Sequence, residues 1–333
     1  MSRRGRARST RRRFGRLIAT LALLLAPLAV GAAAYLSFAP DGASGGAPRL
    51  PIAMHTPPVP SSAAEPREPE VAGRPVPGVA LASVDAFHLY LRKPPRAGLV
   101  FDVGSGEVLW RRDPLRVLPV ASLTKIMTAL VVVEHSRPAE PVRITQAALD
   151  YTGAGVGLLP KGRRVRLEAL LNGLLIVSGN DAAIALAVHE SGSERRFVGV
   201  MNRRAREWGL RCTHFASSHG LEPGNRSCAR DLAVLTRLAM ARPRIRRIAR
   251  RSRAALRFPI KGGKLYLSGH NPLMRMGYAG AIGLKTGYTD AAGRCFVGVA
   301  RRAGRRLGVV LLDSPDPAKH APKLLDAGFA SDG

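Results

Sequence analysis

Hydrophobic and polar positions divide the chain into four stretches. Residues 1–16 form a basic N-terminus with eight arginines between Arg3 and Arg16. Residues 17–38 run for 22 positions without a charge. That is long enough to cross a bilayer and longer than the apolar centre of most signal peptides. Residues 39–83 are rich in proline, with ten prolines in the 38 residues from Pro40 to Pro77, set among Ser, Gly and Ala. This composition predicts an extended linker with no core of its own. Residues 84–333 carry the regular patterns of a globular domain. Short apolar runs at Gly98–Phe101 and Glu107–Trp110, separated by Gly104-Ser105-Gly106, predict a strand pair. Longer apolar periodicities predict helices over Ser122–Glu134, Leu167–Ile176, Asp181–His189, Arg195–Trp208 and Asp231–Met240, with a short strand at Val142–Thr145. Gly280–Thr286, Arg294–Ala300 and Arg306–Leu312 predict adjacent antiparallel strands, and Ala318–Phe329 a closing helix. Strands at both ends with helices between them imply an α+β fold, an antiparallel sheet packed against a helical region.

Composition changes this picture at one point. With 333 residues, 46% of them hydrophobic, the chain has ample material for a core. The net charge of +29 is extreme, and a charge of that size usually points to nucleic acid. Here the basic residues are mostly arginines scattered along the chain without interleaved aromatics. The apolar N-terminal segment also predicts export, away from nucleic acid. No nucleic-acid partner is therefore expected. Arginines ahead of the span place the N-terminus in the cytoplasm and the bulk of the chain outside. Two fates of the segment stay open: an uncleaved membrane anchor, or a signal cleaved near Ala32-Ala33-Ala34. The string from Thr10 to Arg16 also has the form of a twin-arginine export signal, so the export route stays open too.

Candidate chemistry lies in three short strings: Ser122-Leu123-Thr124-Lys125, Ser178-Gly179-Asn180 and Lys285-Thr286-Gly287. A serine hydroxyl is a weak nucleophile at neutral pH without a base in hydrogen-bond reach. On a helix, residues i and i+3 share a face, so the Lys125 amine can meet the Ser122 oxygen. The second string adds a hydroxyl and an amide. The third adds a cation, a hydroxyl and a residue with no side chain. Together they describe a serine acyl-transfer site without histidine. The eight histidines contain no His-Glu-x-x-His pair, and neither a metal nor an organic cofactor is expected.

These strings, with Asp181-Ala182-Ala183, Phe197-Val198, Met201-Asn202, His219-Gly220-Leu221, Tyr288-Thr289 and Ala292-Gly293, give a chain that resembles the serine-type D-alanyl-D-alanine carboxypeptidases, the low-molecular-weight penicillin-binding proteins. The resemblance runs from about residue 85 to 330. It implies a five-stranded antiparallel sheet flanked by helices, as in class A β-lactamases, and hydrolysis of the terminal D-alanine from peptidoglycan stem peptides. Ser122 would be the nucleophile, Lys125 its base and Ser178 the relay to the leaving amine. Asn180 would hold the substrate amide. Lys285 and Thr286 would bind the terminal carboxylate, and Gly287 would let the substrate backbone lie close to the strand. The backbone N–H groups of Ser122 and Tyr288 would form the oxyanion hole. β-Lactams would acylate Ser122. Action would lie on the extracytoplasmic face of the membrane, or in the wall or periplasm. Relatives often continue into a small β-rich domain and an amphipathic C-terminal helix. Here an anchor, if any, would be the N-terminal segment.

Alternatives remain at this stage. A D,D-endopeptidase or transpeptidase would use the same site. A β-lactamase would need a glutamate such as Glu222, which we read as a surface-loop residue because it follows His219-Gly220-Leu221. An inactive peptidoglycan-binding module would be expected to have lost one of the strings. His219 reads as structural, and His270 and Asn271 as loop packing. The arginines from Arg242 to Arg257 read as a solvated face, with contact to anionic glycopolymers as the other reading. Of the three cysteines, Cys212 and Cys228 are the nearest pair for a disulfide, which would leave Cys295 over.

Overall fold

A computed structural model describes residues 76–81 and 84–331. The expectations for residues 1–16 and 17–38, and for most of 39–83, lie outside the described residues. In chain order, β1 (Ala97–Asp102) and β2 (Val108–Arg112) form the first hairpin, followed by the two-residue β3 (Leu118–Pro119). A 3₁₀ turn over Ala121–Thr124 leads into α1 (Lys125–His135). Next come β4 (Pro141–Arg143), α2 (Gln146–Leu149), β5 (Arg164–Arg166), α3 (Leu167–Ile176), α4 (Asn180–Ser191) and α5 (Glu194–Glu207). They are followed by β6 (Arg226–Ser227), α6 (Ala229–Ala241), α7 (Pro243–Ala249), the hairpin β7 (Arg253–Arg257) and β8 (Lys264–Ser268), and α8 (Pro272–Arg275). The chain closes with β9 (Ala281–Thr289), β10 (Gly293–Arg302), β11 (Arg305–Leu312) and α9 (Pro317–Ala330).

Short turns make β9, β10 and β11 consecutive antiparallel neighbours. The N-terminal hairpin then joins the far side of β11, giving the order β2-β1-β11-β10-β9. All four pairings are antiparallel, with Val297 opposite Lys285 and Leu99 opposite Val310. Because side chains alternate across a strand, the sheet buries both faces. Leu99, Phe101, Val297 and Val310 pack under α1, α3 and α6. Val100, Phe296 and Val309 pack against Ala321, Leu324 and Leu325 of α9. Helix α1 is the centre of the helical layer. Every residue from Lys125 to Val132 is buried, so this helix has no solvent face over two turns. The α+β class and the five-stranded antiparallel sheet expected above are present.

Several elements differ from the sequence reading. The predicted helix at Ser122 begins as a 3₁₀ turn, entered through Ala121 at φ +47°. The predicted strand at Val142–Thr145 is β4, one residue earlier, and its partner β5 was not foreseen. The segment at 76–81, assigned to the linker, packs on the domain: the Ala80 N–H donates to the Gly106 carbonyl at 3.1 Å, and Val76, Val79 and Leu81 lie against the core. The arginine run at 242–257 is more than a solvated face. It contains α7, which buries Ile245 and Ile248, and the strand β7. Within it, Arg244 is ion-paired with Glu168 at 2.7 Å and donates to the Ser136 carbonyl at 2.9 Å.

Cys212 and Cys228 form a disulfide across a sequence separation of 16, and Cys295 is free and buried. Cys228 sits just ahead of the first turn of α6, so the bridge ties that helix to the loop before β6. A closed loop of this length stabilises by about 3 kcal/mol, chiefly by constraining the unfolded chain. The double variant Cys212→Ala/Cys228→Ala is expected to lose about that much in guanidinium unfolding, and reductant is expected to have no further effect on it.

Candidate active site

Ser122 lies in the 3₁₀ turn, where backbone N–H groups are still free of helical partners. One turn on, Lys125 is the first residue of α1 and has no solvent exposure. Its Nζ is 3.0 Å from Ser122 Oγ, 2.7 Å from Asn180 Oδ1 and 2.7 Å from the His219 carbonyl. Burial pushes the Lys125 pKa well below that of a free lysine, and the positive Lys285 nearby pushes it down further. Asp181, Glu222 and Glu194 pull in the other direction without reversing the shift.

These contacts have a chemical consequence. A neutral lysine amine has two N–H groups and one lone pair. Asn180 Oδ1 and the His219 carbonyl can only accept, so they take both N–H groups. The lone pair is then left for the third neighbour, Ser122 Oγ. This is the arrangement a general base needs before it removes a hydroxyl proton.

The other two strings meet at the same place. Lys285, in β9, is 2% exposed, and burial brings its pKa down to about 7. Its Nζ donates to Ser178 Oγ at 2.9 Å and to the Thr286 carbonyl at 2.8 Å. Ser178 has φ +64°, a left-handed conformation uncommon outside glycine, which marks a constrained position. Asn180 opens α4. Its Nδ2 donates to the Thr152 carbonyl at 2.6 Å, and its backbone N–H donates to the Ala154 carbonyl at 2.7 Å. Lys125 thus joins Ser122 to Asn180, while Lys285 holds Ser178, two residues before Asn180, and Thr286 and Gly287 follow on the same strand. Ser122, Ser178 and Thr286 keep partial exposure, so the reactive edge is open while both lysines are enclosed.

Two glycines let backbone approach the nucleophile. A Cβ on Gly287 would sit 3.0 Å from the Val120 carbonyl and 3.1 Å from the Ser122 N atom. The turn that carries Ser122 thus lies against the space left by the missing side chain. Gly220, at φ +94°, would place a Cβ 2.1 Å from the Ala121 carbonyl. Tyr288, whose N–H was expected in the oxyanion hole, is next on β9; its side chain is exposed and its hydroxyl donates to Asp290 at 2.9 Å.

Several residues support the site in roles the sequence reading did not assign, although Asp181 and Asn202 were among its matching strings. Asp181, fully buried, accepts N–H bonds from Val156 (2.8 Å), Gly157 (2.9 Å) and Ala182 (2.7 Å), which holds the glycine-rich loop beside Asn180. Asn202 pairs with both backbone groups of Phe215, at 2.8 and 2.9 Å. Glu194 accepts from Ser218 N (2.9 Å) and Oγ (2.6 Å), and Thr128 Oγ1 donates to the Ser218 carbonyl at 2.6 Å. These bonds fix the loop that presents the His219 carbonyl to Lys125. For Asp181 and Asn202 the sequence signal was their place in the matching strings; Glu194 and Ser218 carried none.

His219 contributes that carbonyl, in keeping with a structural role. Its ring is pushed toward the neutral form by burial and faces Glu194 at 3.7 Å and Glu222 at 3.5 Å. Glu222 is an exposed loop residue. His270 is exposed, and Asn271 caps α8 by accepting from Leu273 N at 3.0 Å. Among the described residues, Cys212, Cys228 and Asp231 form the one close group of metal-type ligands, and the first two are consumed in the disulfide.

Comparison with known proteins agrees with this geometry. The profile of the D-alanyl-D-alanine carboxypeptidase family, peptidase family S11, matches residues 95–316. D-alanyl-D-alanine carboxypeptidase DacB2 of Mycobacterium tuberculosis is 40% identical over 250 residues, covering 71% of this chain and 83% of that protein. For DacF of Bacillus subtilis the identity is 32% over 244 residues, which span 71% of this chain and 62% of that protein. Among solved structures, a D-alanyl-D-alanine carboxypeptidase from Mycobacterium tuberculosis superposes with a TM-score of 0.69 at 36% identity, covering 76% of this chain and 96% of that one. The Streptomyces K15 DD-transpeptidase gives 0.68 at 30% identity, over 73% of this chain and 100% of that one. With a buried lysine beside Ser122, its three strings brought together and its five-stranded sheet, the chain belongs to the serine D-alanyl-D-alanine carboxypeptidase family, the low-molecular-weight penicillin-binding proteins.

Proposed function

We propose that this enzyme removes the terminal D-alanine from peptidoglycan stem peptides through an acyl-enzyme on Ser122, and that penicillins acylate the same serine. The observation that carries the assignment of roles is the buried Lys125 amine 3.0 Å from Ser122 Oγ, with its other two neighbours restricted to accepting. Lys125 takes the Ser122 proton as Oγ attacks the carbonyl of the penultimate D-alanine. The backbone N–H groups of Ser122 and Tyr288 receive the developing oxyanion. The C–N bond then breaks, and the leaving amine regains a proton from Lys125 by way of Ser178. Water, deprotonated by Lys125, cleaves the ester and frees Ser122. Charged Lys285, with Thr286, holds the terminal carboxylate, and Asn180 orients the substrate amide while pairing with Lys125. No step calls for a metal or organic cofactor.

The uncharged segment at 17–38, preceded by arginines, supports export of the domain to the extracytoplasmic side, with the segment as anchor or cleaved signal. Among the described residues no helix is long and apolar enough to cross a membrane. If the segment anchors the chain, fractionation is expected to recover it with membranes.

The direct test uses the full chain with a fluorescent penicillin and with diacetyl-Lys-D-Ala-D-Ala. Stable labelling and D-alanine release are both expected, and Ser122→Ala is expected to reduce each by about 10³-fold or more. Rapid penicillin turnover with the peptide untouched would assign a β-lactamase instead. Absence of both reactions would overturn the enzymatic reading.

The two lysines also dictate the pH profile. Positive Lys285 lowers Lys125, so Lys125 gives up its proton first and becomes the base. The acylation rate therefore rises with pH as Lys125 deprotonates. It falls again as Lys285, near 7, loses the charge that binds carboxylate. The two limbs belong to the coupled pair, and a bell-shaped dependence of kcat/KM is expected. Arginine does not titrate in this range. Lys285→Arg is expected to keep the acid limb and lose the alkaline limb. An unchanged alkaline limb in that variant would remove Lys285 from this role.

A further inference from the structure

Away from the cleft, the start of β9 forms the floor of a cavity of about 600 Å³ walled by Arg246 of α7 and Arg250 just after it, Arg301 of β10 and Arg306 of β11. A second hollow of about 380 Å³ adjoins it and shares Arg246 and Arg250, with Arg247 at its rim. Neither is lined by an acidic or an aromatic residue. Arg247 approaches Glu168 at 3.8 Å. Among the described residues, no carboxylate lies within ion-pair distance of Arg246, Arg250, Arg301 or Arg306. Arg246 is fixed by donation to the Met240 carbonyl at 2.8 Å. Elsewhere on the domain many arginines are paired, as Arg244 is with Glu168, Arg204 with Glu207 and Arg302 with Asp326.

Like charges gathered in a concave surface repel one another, and a concavity focuses their field outward. An anion seated there would relieve that repulsion. The guanidinium fork matches the oxygens of a phosphate group in a bidentate manner. Five forks along two joined hollows exceed what one phosphate can use, and they form a track suited to charges repeated along a chain. A concave track fits an extended polymer better than a flat sheet of lipid headgroups. The absence of aromatic side chains leaves nothing for nucleic-acid bases to stack on.

We propose that this groove binds a linear anionic polymer of phosphodiester units, read by its phosphates alone. Ile282 on the cavity floor is three residues before Lys285 on the same strand, a distance of about 10 Å. A polymer held in the groove thus runs beside the catalytic cleft. For an exported enzyme this would keep the cleft next to wall material that carries such chains. The inference takes only its setting from the proposed function, since binding can be read without catalysis.

The test measures binding of a synthetic glycerol-phosphate oligomer to the full chain in neutral detergent, against inorganic phosphate and against phosphatidylglycerol vesicles. The groove variant is Arg250→Ala/Arg301→Ala/Arg306→Ala. A charge-matched control removes Arg195, Arg203 and Arg206, which are exposed on α5. The N-terminal arginines are common to all three proteins. The groove variant is expected to lose about tenfold or more in affinity near 0.1 M salt, and to show a salt dependence shallower by roughly two ions released. The control is expected to stay within about twofold of the parent. The melting temperature of the groove variant should not fall, because like charges are being removed. If it does fall, the single variants Arg250→Gln and Arg301→Gln are compared in the same assay and must each weaken binding. Equal losses in the groove and control variants would mean net charge alone and overturn the proposal. So would inorganic phosphate binding as tightly as the oligomer, or binding to vesicles but not to the oligomer.

Discussion

Two lysine side chains are buried near one another, and the chemistry of this enzyme follows from that constraint. An ammonium group taken out of water without a full set of partners is costly, and two of them near each other are costlier still. The structure answers unequally. Lys285 has a hydroxyl and a carbonyl for its protons, while Lys125 has a carboxamide oxygen, a carbonyl and Ser122. Burial lowers the pKa of both, and the charge of Lys285 lowers Lys125 further. A neutral Lys125 has a lone pair for which Ser122 is the remaining neighbour, which is what the proposed role of base requires. Histidine is not needed because burial does for lysine what an ordinary imidazole pKa does elsewhere.

The site holds its shape because its strain is supported from outside. Ala121 and Ser178 both have positive φ; Ala121 immediately precedes the first string and Ser178 opens the second. Positive φ is unfavourable for residues with a Cβ and persists where surrounding bonds over-determine it. Around Ala121, Gly220 and Gly287 permit backbone to come within contact distance of the turn. Around Ser178, the carboxylate of Asp181 locks the loop at residues 156–157 that meets Asn180. The carbonyl of His219 reaches Lys125 only because Asn202, Glu194 and Thr128 hold the preceding loop. The five site residues thus rest on a second set of buried polar groups as thoroughly bonded as the first.

The site was legible in the sequence to the extent that its chemistry needs fixed residue types at short spacing. Ser122 and Lys125 are three apart, so local geometry alone could place them together. The union of Ser178 and Lys285, 107 residues apart, was legible only through likeness to a family. The bracing roles were hidden because a helical Asp or Asn, even one inside a matching string such as Asp181 or Asn202, carries no local sign of the backbone it will serve. Gly287 was recognised, whereas the close approach of the Ser122 turn to it was not, because that contact is between distant segments. In the fold, the long apolar strands and helices were evident. The β7–β8 hairpin was obscured because Arg253-Ala254-Ala255-Leu256-Arg257 alternates only weakly, with no residue fully buried. Short strands such as β4 and β5 owe their existence to each other, and pairing across an intervening loop leaves little trace in a single segment.

Charge shows the same limit of bulk description. A net charge of +29 says nothing of what an individual arginine does. Arg237 is a clamp: it donates to the carbonyls of Gly78, Val103 and Gly104, fastening the chain's entry into the domain to the β1–β2 turn. Arg244 replaces water for Glu168 and the Ser136 carbonyl under α7. In both cases the guanidinium serves backbone or carboxylate groups that would otherwise lie unsatisfied, and such residues would be retained at any net charge. Of the arginines around the start of β9, Arg246 donates to the Met240 carbonyl, but none of those lining the larger cavity is paired with a carboxylate among the described residues. They raise the electrostatic cost of the folded state while four strands and helices converge to hold them in one hollow. A purely compositional drift toward arginine would scatter unpaired charges over convex surface, where solvent screens them. Their collection in a concavity, without acids, is a property of place rather than of composition, and it is this placement that gives the charge a function to perform.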